Sequence, residues 1–296
     1  MVSNNVKGII LAGGTGSRLY PMTKVVNKQL LPVYDKPMIY YPLSILMEAG
    51  IKDILVITAI NQSKIFEELL GDGSNFGINI TYKEQIYPNG LAEAFIIGEN
   101  FIGKNSCSMI LGDNIFYGSG LKDKLIEAKE NLKLGKATIF GCEVKDPSRF
   151  GVMELDNMGN ILSVEEKPEI PKSNYAVTGL YFYPSGVSDL AKEVKPSKRN
   201  ELEITTLNEM YLKQKLLKGI LLNDGYTWFD TGTFDSLLDA SNMIKSIENN
   251  RETLIGSPEL IAYKNNLITK EQLYSLALKQ DKNSYGKILI KTIGGI

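Results

Sequence analysis

Leu11-Ala-Gly13-Gly14-Thr15-Gly16-Ser17-Arg18 directly follows the apolar run Val6-Lys-Gly-Ile-Ile-Leu-Ala12. Glycines without a Cβ let the backbone approach an anion closely and aim N–H groups at it. Arg18 adds a guanidinium that matches phosphate oxygens. The glycines alone serve equally well as a tight strand-to-loop turn. No Gly-Lys-Ser/Thr closes the loop as in a Walker A motif, and the third glycine position of the dinucleotide fingerprint holds Leu19. Lys28 and Gln29, just before Leu30-Leu-Pro-Val33, place a second cation behind the loop and point to a polyphosphate cradle. Asp113 follows the apolar stretch Met109-Ile-Leu111, at the kind of strand end where open α/β sheets bind ligands. Asp230 follows Tyr226-Thr-Trp-Phe in the same way. Each carboxylate also reads as a turn or cap residue. Together they could hold one Mg²⁺, with phosphate oxygens and water completing the octahedron. Glu166 and Lys167, in Glu165-Glu-Lys-Pro168, are by themselves a charged strand end.

The composition narrows the chemistry. The chain has 296 residues and no histidine. That excludes Ser-His-Asp and Cys-His sites, His-ligated zinc or haem, and His as the acid or base. Lys plus Arg is 33 against 34 for Asp plus Glu, so there is no general electrostatic case for nucleic acid or an anionic membrane. Cys107 and Cys142 lie inside apolar runs without CxxC spacing and read as buried, inert thiols, consistent with a reducing cytoplasm. No secretory leader is evident at Met1-Val-Ser-Asn-Asn, and the apolar stretch near 37–47 is too short to span a bilayer.

The elements that must position these residues follow from periodicity. Strands are expected at 6–12, 53–58, 78–82 and 106–111, and helices at 37–49, 64–70, 90–101 and 121–132. Short apolar strands alternating with amphipathic helices argue for an α/β sandwich on a largely parallel sheet. Strands are then expected at 137–144, 151–156, 161–165, 176–183 and 219–222, with Asn157-Met-Gly-Asn160 as a hairpin connection. Helices are expected at 187–194, 204–216, 234–247 and 270–278. The organisation read here is a catalytic core over 1–233 and a helical C-terminal segment over 234–296, packed on the core or on a neighbouring subunit.

The glycine loop through Leu19-Tyr-Pro21, followed by Lys28-Gln-Leu-Leu-Pro32 and Tyr34-Asp-Lys-Pro-Met-Ile-Tyr-Tyr-Pro42, resembles the sugar-nucleotide pyrophosphorylases, and within them the thymidylyltransferase branch. The resemblance continues through Leu111-Gly-Asp-Asn-Ile-Phe-Tyr-Gly118, Val164-Glu-Glu-Lys-Pro168, 174–183, Glu201-Leu-Glu-Ile-Thr205 and Asp230-Thr-Gly-Thr233, spanning nearly the whole chain. It implies a Rossmann-like, three-layer nucleotidyltransferase sandwich with a mostly parallel mixed sheet and a helical C-terminal appendage. The implied reaction is Mg²⁺-dependent transfer of a thymidylyl group from dTTP to α-D-glucose 1-phosphate, giving dTDP-glucose and pyrophosphate, as a first step toward dTDP-L-rhamnose. It further implies roles for individual positions. Arg18, Lys28, Asp113, Lys167 and Asp230 are the catalytic set, with Asp113 and Asp230 on the metal. Leu11, Gly13, Gly14, Thr15, Gly16, Arg18, Gln29, Gln85, Gly90 and Asp113 hold the nucleotide; a glutamine amide suits a pyrimidine edge. Asn114, Gly151, Glu166, Lys167 and Val177 hold the sugar phosphate.

The sequence departs from the family pattern at Asn89 and Glu93, where Asp and Gln are common, and at Phe150, where Tyr is common. Thr206 and Phe234 replace a common Asp and His, and Ser119 replaces a common His in a region, with Tyr117 and Gly118, that the family uses for feedback binding. The resemblance implies a homotetramer with dTDP-L-rhamnose as feedback ligand. Two other readings stand beside it: UTP in place of dTTP, since one methyl separates the bases, and a catalytically silent sugar-nucleotide sensor. The incomplete fingerprint argues against a nicotinamide dehydrogenase.

Overall fold

The computed structural model describes residues 5–14 and 16–294. The Thr15 expectation lies outside the described residues.

The strands are β1 (Val6–Ala12), β2 (Pro32–Val33), β3 (Lys36–Pro37), β4 (Asp53–Ala59), β5 (Asn79–Gln85), β6 (Ser106–Leu111), β7 (Asn114–Gly118), β8 (Ala137–Glu143), β9 (Gly151–Leu155), β10 (Ile161–Glu166), β11 (Tyr175–Tyr183), β12 (Leu217–Leu222) and β13 (Tyr226–Asp230). The helices are α1 (Tyr40–Glu48), α2 (Ser63–Leu70), α3 (Glu93–Ile97), α4 (Glu99–Ile102), α5 (Leu121–Lys133), α6 (Val187–Lys192), α7 (Ile204–Lys213), α8 (Phe234–Arg251), α9 (Pro258–Lys264), α10 (Lys270–Leu278) and α11 (Ser284–Gly294). The helix expected over 90–101 starts later and is divided into α3 and α4 at Gly98, whose close approach to Ile9 and Leu55 leaves little room for a side chain. β2, β3, β7, α9 and α11 were not among the expected elements, and the helix expected from 37 starts at Tyr40.

A nine-stranded mixed sheet runs β10-β9-β11-β6-β1-β4-β5, with β8 and β12 branching from β11. The block β6-β1-β4-β5 is parallel, and β11 joins β6 antiparallel. Strand alternation divides the apolar residues between two cores. Ile10, Val56, Ile110, Leu180 and Phe182 face one side with α1, α5 and the C-terminal helices. Ile9, Leu11, Leu55, Met109 and Tyr181 face the other with α3, α6 and α7. A sheet buried on both faces is the three-layer arrangement that near-continuous apolar strands require. Among the described residues no helix is long and apolar enough to cross a membrane.

The register has a functional consequence. β1 lies between β4 and β6 with both partners parallel. The chain leaves β1 toward β4 on one side and reaches β6 on the other, so a crevice opens beyond the C-terminal ends of β1 and β6. The glycine loop leaves β1 there, and Asp113 follows β6 there.

The C-terminal helices share this core. Thr233 caps α8 through a capping box with Ser236, and Leu237, Ala240 and Ile244 form its apolar stripe over Leu31, Val33 and Met38. Beneath it lies a buried ion cluster. Lys36 Nζ donates to Glu248 Oε1 at 2.9 Å and to Asp35 Oδ1 at 2.5 Å, and stands over the rings of Tyr41 and Tyr285. Glu248 Oε1 also accepts the Ile255 N–H at 2.7 Å. Lys36 and Glu248 are each 2% exposed at the side chain. Burial pushes Glu248 above the usual carboxylate range, opposed by Lys36 and the Ile255 N–H.

Breaking one partner of such a pair leaves an uncompensated buried charge at a cost of roughly 3–5 kcal/mol, whereas replacing both with apolar groups does not. Lys36→Met, which leaves Asp35 and Glu248 without their shared cation, is therefore expected to lower unfolding stability by about 3–5 kcal/mol in urea titrations. The triple variant Asp35→Asn/Lys36→Met/Glu248→Leu is expected to lose distinctly less. A triple variant as unstable as the single one would refute the assignment.

Candidate active site

The crevice at the end of β1 and β6 is built from one close backbone crossing. Gly112 N–H donates to the Leu11 carbonyl at 2.9 Å, and a Cβ on Gly112 would stand 2.9 Å from Gln29 Cγ. Only glycine lets the strand leave its sheet here. The chain then enters β7, which pairs with β13 in a two-stranded antiparallel ribbon where Asn114 faces Asp230. That register brings Asp230, far along the chain, beside Asp113. Thr231 fastens the end of the ribbon: its Oγ1 donates to the Asp113 carbonyl at 2.8 Å. Trp228 Nε1 donates to Asn114 Oδ1 at 2.6 Å, and Asn114 Nδ2 donates to Asp113 Oδ1 at 3.0 Å.

Three lobes meet at Asp113, which borders each of them. The first is about 510 Å³ and is lined by Asn114, Gly151, Glu166, Lys167, Val177 and Asp230, among others. The second, about 220 Å³, is bounded by Gly14, Gly16, Arg18, Lys28, Gln29 and Gly232. The third, about 210 Å³, is bounded by Leu11, Gly13, Gly14, Gln29, Gln85 and Gly90. Every described residue singled out in the sequence for nucleotide, sugar phosphate or metal thus borders one of these lobes.

Lys28 Nζ donates to Asp113 Oδ2 at 2.5 Å. Burial alone would raise Asp113, but the Lys28 ammonium and the Asn114 amide outweigh it and hold the carboxyl below its usual range. Asp230 moves the other way. Burial and the Asp113 charge push it up, and Lys28, Arg18 and Arg149 only partly offset them. Among the described residues none donates a hydrogen bond to the Asp230 carboxylate. Two half-buried carboxylates sharing one lysine leave a local demand for positive charge. The donor set is hard oxygen, and no third carboxylate, His or Cys joins it among the described residues. This fits a divalent ion that completes its shell with substrate oxygens and water, as Mg²⁺ does.

The large lobe carries its own polar frame. Glu166 Oε2 accepts the Thr205 hydroxyl at 2.5 Å, and Glu166 Oε1 accepts Arg199 Nη2 at 3.0 Å. Arg199 also pairs with Glu203 at 2.9 Å. Lys167 follows at φ +43°, a left-handed conformation that a non-glycine residue adopts at a cost of roughly 1–2 kcal/mol. Its backbone N–H is tied to the Phe150 carbonyl at 3.0 Å. Arg149 and Arg199 line this lobe too and were not among the residues picked from sequence. No motif marks them: both lie in polar loops, and only the fold turns them inward.

A separate cavity of about 380 Å³ lies between α1, β7 and residues 253–265. Tyr41, Glu48, Tyr117, Gly118, Arg251 and Lys264 are among its lining residues.

Residues 7–247 match the nucleotidyl transferase family. The chain is 53% identical over 289 residues to the glucose-1-phosphate thymidylyltransferase of Neisseria gonorrhoeae, covering 98% of this chain and 100% of that one. It is 49% identical over 288 residues to that of Mycobacterium tuberculosis, covering 97% and 99%. A Bacillus anthracis structure described as a putative glucose-1-phosphate thymidylyltransferase in complex with sucrose aligns with TM-score 0.74 and 45% identity, covering 80% of this chain and 94% of the other. A UDP-glucose pyrophosphorylase bound to UDP-glucose aligns with TM-score 0.71 and 27% identity, covering 82% and 99%.

The electrostatics of the carboxylate pair yield a test that needs no turnover. With a chelator present near neutral pH, Asp230→Asn is expected to melt higher than the parent, because it removes a buried repulsion with Asp113. Added divalent cation is expected to raise the melting temperature of the parent and to leave that of the variant nearly unmoved. Equal metal-induced shifts in both proteins would exclude Asp230 as a ligand.

Proposed function

The chain belongs to the nucleotidyl transferase family, within it to the glucose-1-phosphate thymidylyltransferases, and on that premise we propose that it transfers a thymidylyl group from dTTP to α-D-glucose 1-phosphate, yielding dTDP-glucose and pyrophosphate. The observation that carries the reading is that Asp113 borders all three lobes. A base, a triphosphate and a sugar phosphate can therefore meet at one half-buried carboxylate.

In this reading an oxygen of the sugar phosphate bonds to the α-phosphorus in line. The bond from that phosphorus to the bridging oxygen breaks, and pyrophosphate departs with the electron pair. A phosphate monoester has its second pKa near ~6 and is mostly dianionic at neutral pH. It needs no protein base, which suits a chain without histidine. The difficulty is the approach of two polyanions. Enzymes of the family typically use a divalent metal; Asp113 and Asp230 would hold it, here taken as Mg²⁺, and it would supply charge neutralisation to the phosphates.

The protein's own residues do the rest. Arg18 stabilises charge on the α-phosphate and the leaving group, and Lys28 supports it once drawn from Asp113. The backbone of Gly13, Gly14 and Gly16 is assigned to the phosphates. Leu11, Gln29, Gln85 and Gly90 hold the nucleoside. Asn114, Gly151, Glu166 and Val177 hold the sugar, with Lys167 and Arg199 on its phosphate. Most of the acceleration is then orientation and electrostatics.

We further assign the cavity beside Tyr117 and Gly118 to feedback binding of dTDP-L-rhamnose, in a cytoplasmic homotetramer where residues 234–296 meet a neighbour. Ser119 offers no ring to that ligand, so inhibition is expected to be weakened.

Arg18→Ala is expected to lower kcat by at least about a hundredfold, in the range of lost transition-state donors. Lys167→Ala is expected mainly to raise KM for glucose 1-phosphate. A Lys167→Ala effect confined to the nucleotide KM would refute its placement. Pyrophosphate release with dTTP and UTP against several sugar 1-phosphates reads the substrate pair directly, and absence of turnover would favour a sensor. For the second site, dTDP-L-rhamnose titrated at saturating substrates should still inhibit, and mass in solution should correspond to four chains. Inhibition abolished by saturating substrate would restrict the ligand to the active site, and a stable monomer would remove the intersubunit assignment.

A further inference from the structure

Gln85 ends β5, is 6% exposed, and borders the lobe assigned to the base. Both protons of its amide nitrogen are engaged. Nε2 donates to Glu93 Oε2 at 2.7 Å and, more weakly, to the Gly90 carbonyl at 3.5 Å. A carboxylate and a carbonyl are acceptors only, so the amide cannot be turned over without losing both contacts. The oxygen is then forced the other way. Gln85 Oε1 lies 2.6 Å from the position a Cβ on Gly13 would take, against the glycine loop. Among the described residues nothing donates to it.

Glu93 is itself held. Its Oε1 accepts Asn89 Nδ2 at 2.8 Å. The turn carrying Asn89 and Gly90 is pinned to a neighbouring strand-like segment: Leu202 N–H donates to the Asn89 carbonyl at 2.6 Å, and Ala92 N–H donates to the Leu202 carbonyl at 3.1 Å. Gly90 sits at φ +106° with Leu202 backbone atoms within 2.5 Å of any Cβ it might carry, so only glycine closes this turn. The chain Asn89–Glu93–Gln85 is thus a directed series of hydrogen bonds on a fixed frame. Gln29 differs. Among the described residues its buried Oε1 has no partner, so none of them dictates which end of that amide faces the lobe.

We propose that Glu93 is a positioning residue that sets the donor–acceptor polarity of the base lobe, leaving Gln85 an obligate acceptor that selects a base presenting a ring N–H. This rests on the reading of Gln85 as a base-contacting residue. Thymine and uracil carry N3–H at that edge; cytosine carries a lone pair at N3. An acceptor facing a lone pair is an unmade bond between two desolvated groups, the kind of mismatch that discriminates far more strongly than a methyl group does. Gln29, free to turn, can then donate to a flanking carbonyl of the base.

The amide and the acid at positions 89 and 93 are interchangeable in logic. In the double variant Asn89→Asp/Glu93→Gln, the new carboxylate at position 89 would accept from the new amide nitrogen at position 93. The amide oxygen at position 93 would still accept from Gln85. In Glu93→Gln alone, the two amides impose no direction, and Gln85 is held only by its weak 3.5 Å contact with the Gly90 carbonyl.

The test compares the parent, Glu93→Gln and Asn89→Asp/Glu93→Gln, measuring kcat/KM for dTTP, UTP and dCTP at saturating glucose 1-phosphate. In Glu93→Gln the preference for dTTP over dCTP is expected to fall at least about tenfold, through a raised KM for dTTP and a lowered KM for dCTP, with KM for glucose 1-phosphate unmoved. The double variant is expected to regain the parent's preference. If turnover in a variant is too low to follow, nucleotide-induced shifts in melting temperature for dTTP and dCTP read the same preference. A preference within about twofold of the parent in Glu93→Gln, or one not restored in the double variant, overturns the inference while the function stands. A parent that turns over no pyrimidine triphosphate overturns the function itself, and the inference with it.

Discussion

The half-buried ion pair between Lys28 and Asp113 is the constraint around which the site is arranged. A carboxylate at the mouth of a parallel sheet is costly to desolvate unless a cation stands against it. Lys28 supplies that cation from the turn behind the glycine loop, so the two strand ends on either side of the crevice are tied by one short ion pair. Bringing Asp230 into the same space upsets the balance. One ammonium cannot neutralise two carboxylates, and the surplus lodges on Asp230, whose ionised form burial and Asp113 disfavour. The centre is thus short of positive charge, while Arg18, Arg149, Lys167 and Arg199 line the same cavity. Such a site suits polyanions approaching from several sides, and in the proposed reading a metal between them.

Most of this was legible in the sequence because the informative residues sit at strand ends. The parallel block announces itself through Ile9-Ile10-Leu11, Ile54 to Ile57 and Met109 to Leu111, and glycine or aspartate marks where the chain enters the crevice. What periodicity could not reveal was pairing. β7 is five residues following directly on Asp113, and its partner lies over a hundred positions later, so no local pattern predicts their register. The same holds for Arg149 and Arg199, whose inward direction depends on the loops around β9 and α7. The helix expected over 90–101 starts later because Asn89 to Ala92 are committed to Leu202, a tertiary demand that overrides helix propensity. Asn89 and Glu93 looked like two independent departures from a pattern. Their joint meaning emerges only from the hydrogen bond between them.

The C-terminal helices add a second buried charge cluster with a different character. Around Lys36 the charges are enclosed by aromatic rings and partnered with one another, and Lys36 and Glu248 line none of the three lobes of the active site. The cluster joins the hairpin of β2 and β3 to α8 and to the segment leading into α9. The same hairpin follows the turn bearing Lys28 and Gln29, and the Gln29 carbonyl accepts the Ile39 N–H at 2.9 Å. The turn bearing Lys28 and Gln29 is therefore braced from behind by residues that line none of the three lobes.

The ribbon of β7 and β13 bears on how length can vary in this fold. Because strand side chains alternate faces, one residue inserted between Tyr226 and Asp230 would turn the Asp230 carboxylate away from Asp113. The loops that feed the ribbon carry no such condition, since their entropic cost grows only slowly with length. Insertions and deletions among descendants of this sequence should therefore accumulate in the connection between β12 and β13, at 223–225. The stretch from Tyr226 to Thr231 should keep its length even where its identities drift, making residue count, rather than residue type, the feature under tightest selection there.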